Sequence, residues 1–104
     1  MEHGEFEKAV KFFEESSKLD PRFKTLELQG ECLMKLGKGK QAIIPLAAAV
    51  GLGTRPFRAL FLLAQALHTI GANDSAIGKL DMALELQPDY KAAQDLRATI
   101  AGLK

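Results

Sequence analysis

A chain of 104 residues, 47% apolar and 26% charged, suffices for one small globular domain of ordinary balance. Its formal net charge of +1 supplies no field to draw nucleic acid or an anionic membrane, so a partner must be chosen by local surface. The lone cysteine, Cys32, excludes an intrachain disulfide and a cysteine-based metal cluster.

Met1-Glu2-His3-Gly4-Glu5 is charged, without the apolar run of a signal peptide. The apolar stretch from Phe57 to Leu67 is broken by Arg58 and Gln65 and is too short to cross a bilayer. With the single cysteine, these features favour a cytoplasmic location.

Strand alternation and hairpin-turn dipeptides are nearly absent, and helical spacing runs throughout. Phe6, Ala9, Val10 and Phe13 form the first apolar stripe, opposite Glu7, Lys11, Glu14 and Lys18, which pair at i,i+4. A second helix is predicted from about Arg22 to Leu36, with Leu26, Cys32, Leu33 and Leu36 inward. Gly37 and Gly39 break it, and a third helix follows to about Val50, with Gly51 and Gly53 as its stop. Thr54 as N-cap and Pro56 in the first turn open a fourth helix, apolar on most sides as befits the centre of a stack, to about Ile70. Gly71 ends it, Asn73 or Asp74 caps a fifth helix closing near Leu86, and Pro88 and Asp89 open a sixth carrying Ala93, Leu96 and Ile100 on one face. Short connections make successive helices antiparallel neighbours.

The pattern repeats. Ala9, Ala42 and Ala76 lie 33 and then 34 residues apart, preceded by Gly4, Gly37 and Gly71. Lys18-Leu19-Asp20-Pro21 matches Glu85-Leu86-Gln87-Pro88 at an offset of 67. A period near 34 in an all-helical chain specifies a helix-turn-helix solenoid, each hairpin burying its apolar face on the next.

These positions resemble the tetratricopeptide repeat family over nearly the whole chain. Gly30 and Ala64 match the small close-packing residues of the first helices, and Gly4, Gly37 and Gly71 the turns. Ala9, Ala42 and Ala76 match the second-helix alanines, with Phe13, Leu46 and Leu80 the large residues that follow, then Ser16, Ala49 and Ala83, and Pro21 and Pro88 the terminal prolines. Three positions depart: Thr54 stands where a proline is usual, Gly39 replaces an aromatic, and Pro45 lies inside the third helix, which puts its straightness in question. The resemblance implies an all-α, right-handed superhelical solenoid of about six antiparallel helices. Its parts are the second helix of an incomplete repeat (1–21), two repeats (22–53 and 54–88) and a C-terminal capping helix (89–104). The partner helix of residues 1–21 would precede Met1. Phe6, Phe12 and Phe13 are then expected to be covered by a longer array or by another chain, or to form the most apolar exposed patch.

No catalytic constellation, cofactor motif or metal set emerges. His3 and His68 are far apart with no thiol or carboxylate at ligand spacing, Cys32 reads as a packed thiol, and the glycine pairs at 37/39 and 51/53 lack the strand and spacing of a phosphate loop. The resemblance implies a concave groove lined by the first helices. On the second helix its stripe is Lys24, Glu27, Glu31, Met34 and Lys35; on the fourth it is Arg58, Phe61, Gln65, His68 and Thr69, with Lys91 and Gln94 added by the sixth. Phe61 reads either as an anchor for a ligand side chain or as packing against a neighbouring helix. Glu27 and Glu31 argue against the clamp that some relatives place on a terminal carboxylate, and favour a basic, apolar ligand.

The expected function is a scaffold that binds a protein or peptide in this groove, with no enzymatic activity, nucleic acid or membrane. The alternative is self-assembly as a homodimer through the edge carrying Phe6, Phe12 and Phe13.

Overall fold

Six helices form where the apolar periodicity places them: α1 (His3–Leu19), α2 (Phe23–Lys35), α3 (Gly39–Leu52), α4 (Phe57–Thr69), α5 (Asn73–Leu86) and α6 (Lys91–Ala101). This computed structural model describes residues 3–19 and 22–102, and the side chains of 4–16 and 22–102. Pro21 and the side chains of His3, Ser17 and Lys18 lie outside the described residues, as does Leu103.

Each helix packs on the next in the chain. In addition α4 touches α2 and α6, so it has neighbours on four sides. That position accounts for its composition. Ala59, Leu60, Leu62, Leu63, Ala64 and Ala66 are all buried, leaving only a narrow stripe for polar residues.

The turns between α2 and α3 and between α4 and α5 are copies. Gly37 and Gly71 adopt φ of 76° and 84°, the left-handed region that costs a residue with a Cβ most. In the first turn Lys38 N–H donates to Leu33 O at 2.8 Å and Gly37 N–H to Met34 O at 3.0 Å. In the second Ala72 N–H donates to Leu67 O at 2.9 Å and Gly71 N–H to His68 O at 3.0 Å. Both pairs are the nested bonds of a Schellman motif, which satisfy carbonyls left over at a helix end.

Inside each hairpin the small residue faces the large one. Leu46 is fully buried, and a Cβ on Gly30 would lie 2.3 Å from its Cγ, so the backbone of α2 comes as close to α3 as glycine alone permits. Ala64, Ala76 and Leu80, all fully buried, share the equivalent core of the second hairpin with Ala93 and Ile100. Val10, Cys32, Leu33, Ala42, Leu46, Leu62, Leu63 and Ala66 make the core joining α1 through α4.

Several helix ends differ from the sequence expectation. The α3 helix runs through Pro45 and includes Gly51, with Gly53 as its C-cap. Pro45 is buried while Gln41, whose carbonyl the proline leaves without a helical donor, is exposed and open to water. Thr54 does not cap α4: Pro56 holds the N-cap position, and Gly53 lies close under Phe23, where a Cβ would meet the ring at 2.7 Å. Neither Asn73 nor Asp74 caps α5, whose N-cap is Ala72. Pro88 and Asp89 precede the N-cap Tyr90 of α6.

Candidate functional site

Stacked first helices bring their outward stripes side by side, so side chains of α2 and α4 that are far apart in sequence meet. The meeting point is Arg58. Its Nη1 lies 3.2 Å from Glu27 Oε1, its Nη2 bonds Glu31 Oε2, and Lys24 Nζ reaches the same Glu27 oxygen at 3.2 Å. Glu27 is only 2% exposed, the one charged residue buried among the described residues. A carboxylate so withdrawn from water requires cations beside it, and it has two. Burial pulls the Arg58 guanidinium down, but its hydrogen bond to Glu31 and the charges of Glu31 and Glu27 outweigh that, and its pKa is raised.

Beside this cluster the N-cap of α6 contributes Tyr90, whose ring meets Phe57 edge-on at 5.4 Å and 84° and Phe61 at 5.4 Å and 58°. Burial raises the Tyr90 phenol above its ordinary value, with Arg58 opposing and the two glutamates adding. Together these groups bound a cleft of about 330 Å³. Met34, Phe61, Leu62 and Tyr90 give it apolar walls, and Glu31, Lys35, Arg58 and Gln65 its polar groups. A second hollow of about 260 Å³ lies against α1, bounded by Glu7, Val10, Lys11, Glu14, Leu36 and Lys38.

Of the groove residues anticipated from sequence, Glu31, Met34, Lys35, Arg58, Phe61 and Gln65 line one cleft. Lys24 and Glu27 join it through the Arg58 network. His68 lies a turn beyond, its Nδ1 2.8 Å from Asn73 Oδ1, which occupies the asparagine that the sequence offered as a cap. Lys91 is paired with Asp95 at 2.8 Å, and Gln94 donates to Pro88 O at 2.7 Å. Phe61 packs on Tyr90 and both larger cores, and it also walls the cleft. Arg58 engages one oxygen of each of Glu27 and Glu31, so the two acids behind the expectation of a basic ligand are partly neutralised. Tyr90 was missed altogether. The signal was available: it follows Pro88 by two residues, just ahead of the apolar face of α6.

At the other end Phe6 and Phe13 are half-buried against the α1–α4 core, while Phe12 is 64% exposed and meets Phe13 edge-on at 5.5 Å. Cys32 is buried, and burial followed by the charge of Glu31 pushes its thiol up. Among the described residues no cluster of three metal-ligating side chains occurs, and no helix is long and apolar enough to cross a membrane.

No protein-family model matches the chain, and no curated protein matches it. Solved structures do. The first tetratricopeptide domain of Spaghetti (RPAP3), bound to the HSP90 peptide SRMEEVD, superimposes with a TM-score of 0.90 at 19% identity over 96% of this chain and 80% of that one. The first such domain of human RPAP3 gives 0.88 at 19% identity over 95% and 79%. The Yersinia enterocolitica type III secretion chaperone SycD, in complex with a peptide of the translocator YopD, gives 0.78 at 23% identity over 95% and 76%. The chain has the tetratricopeptide-repeat fold: an all-α solenoid of stacked helical hairpins. These likenesses lend no support to a homodimer through α1.

Proposed function

We propose that this chain is a protein-interaction module that holds a peptide segment of a partner in the cleft between α2, α4 and the start of α6, and performs no catalysis of its own. The observation that carries the reading is the cleft itself: about 330 Å³ in which an aromatic and aliphatic wall adjoins polar groups from α2, α4 and the start of α6. Two structural neighbours are described with a peptide bound, an HSP90 peptide in one and a YopD peptide in the other. The cysteine supports the non-enzymatic reading, being buried with its thiol held protonated.

The test uses peptides selected on this chain from a random display library, followed by amide chemical-shift mapping. Shifts should fall on α2, α4 and the N-terminus of α6, and Phe61→Ala should weaken binding about tenfold or more. Peptides that shift α3 and α5 instead, with affinity indifferent to Phe61→Ala, would overturn the reading.

A further inference from the structure

The outward face of α3 is a surface that the cleft leaves unexplained. Residues 44, 47, 48, 51 and 52 fall on one side of this helix, and all are exposed. Ile44 is 79% exposed and Leu52 54%, with Ala47, Ala48 and Gly51 between them. Lys40 and Gln41 close the stripe at its N-terminal end, and beyond them no polar side chain interrupts it. A continuous apolar surface of this kind marks a place where something docks. Phe12 on α1 and Met82 on α5, also exposed, are set differently. Phe12 has Lys8 and Glu15 at helical spacing and Met82 has Lys79 and Glu85, so a partner seated there has charges to desolvate.

Three properties of the α3 stripe fit a second copy of the same chain. It carries no charge from Ile44 to Leu52, so copy meets copy with no like charges opposed. It is self-complementary, because Ile44 and Leu52 stand four residues either side of Ala48. A two-fold axis beside Ala48 sets Ile44 of each copy against the Gly51–Leu52 end of the other, with alanines at the crossing where the backbones approach. The two helices then run antiparallel, and Lys40 of each copy reaches toward the carbonyl end of the other's α3, where a cation is favoured. Arg55 at that end is already committed to Leu86 O at 2.6 Å.

We infer that two copies of this chain associate through the outward face of α3, antiparallel about an axis beside Ala48. The α3 helix lines no part of the cleft, so both clefts stay open and the pair presents two of them. The contact is one helix wide and about 20 Å long, short of the roughly 1,200 Å² that a stable interface buries. The association is therefore weak and reversible, and α1 takes no part in it.

Sedimentation equilibrium of the full chain from about 10 µM to about 1 mM should show the mean mass rising from one chain toward two. Ile44→Glu should weaken the pairing about a hundredfold, since one substitution acts twice across a two-fold axis. Phe12→Glu should leave it unchanged, with circular dichroism confirming that each variant keeps its helices. The axis has its own test. Ile44→Lys and Leu52→Glu should each stay monomeric alone and pair when mixed, because position 44 of one copy lies against position 52 of the other. A chain that is monomeric at the highest concentration overturns the inference, as does a pairing that survives Ile44→Glu or is lost with Phe12→Glu. A mixture that fails to pair overturns it too. Flotation with phosphatidylcholine vesicles that Ile44→Glu abolishes, in a chain that stays monomeric, assigns the face to a bilayer instead.

Discussion

The hairpins α2–α3 and α4–α5 follow one plan and differ most where their helices touch. In the first, Gly30 faces a fully buried Leu46 with no room for another carbon; in the second, Ala64 and Leu80 share the equivalent core with the methyl already in place. The same frame therefore tolerates two closenesses of approach, provided that small stays opposite large. Their outer helices differ too. From Ala42 to Gly53, α3 and its cap carry no polar side chain, and Ile44 is 79% exposed. In the second hairpin α5 carries Asp74, Lys79, Asp81 and Glu85. Packing is thus repeated between hairpins while surface chemistry is free to diverge, as expected of an architecture stabilised by nearest neighbours.

The largest effect should come from removing the large partner. Leu46→Ala should cost about 2–5 kcal/mol, measured from the urea midpoint, with Leu80→Ala in the same range. The comparison sharpens when Gly30→Ala is added to Leu46→Ala, because the new methyl enters the space the leucine leaves. The double variant should be more stable than the two single losses summed. Alone, Gly30→Ala should destabilise by about 1–3 kcal/mol through overpacking, although alanine is the better helix former. A neutral or stabilising result would show that the hairpins are not as differently spaced as the contact implies.

Next in size, Arg58→Leu should cost about 1–2 kcal/mol, because Glu27 keeps Lys24 but loses its second cation. Arg58 also ties one repeat to the next, so the same variant tests whether the repeats are coupled across the concave side as well as through their cores. Smallest, and opposite in sign, is Gly78→Ala on α5. No atom outside its own helix backbone lies within 4 Å of the new Cβ, so this change should stabilise by about 0.5–1 kcal/mol. One glycine-to-alanine change in each hairpin, with opposite outcomes, separates a glycine required by a contact from one that is merely present.

Much of this was legible in the sequence because periodicity is a property of buried faces. The alanines at 42 and 76, the leucines at 46 and 80 and the turn glycines at 37 and 71 sit where the period puts them, the first four fixed by burial and the glycines by their positive φ. Helix ends were less legible because capping is a local choice that tertiary contacts override. Asn73, a good cap by type, holds its amide oxygen 2.8 Å from His68 Nδ1, while Thr54 lies in a connection shaped by Gly53 under Phe23 and by Arg55 reaching Leu86 O at 2.6 Å. The residues lining the cleft between α2 and α4 were legible as two stripes, but their charge balance was not. Arg58 meets glutamates 31 and 27 residues away, and a stripe taken one helix at a time separates the acids from the arginine that engages them. Stacking the stripes at an offset of 34 sets Arg58 level with Lys24, one turn from Glu27, and would have exposed the pairing.

The copied turn carries a consequence for length. Gly37 and Gly71 leave their helices with nearly the same φ and the same two hydrogen bonds, so residues 38–71 begin and end at equivalent points of the stack. Joining a second copy of that segment after Gly71 would set Ala64 against a new Leu46, again small against large, across a turn that already closes correctly. The chain is in this sense measured in increments: adding one should lengthen the concave surface by a helix pair while requiring no new kind of joint.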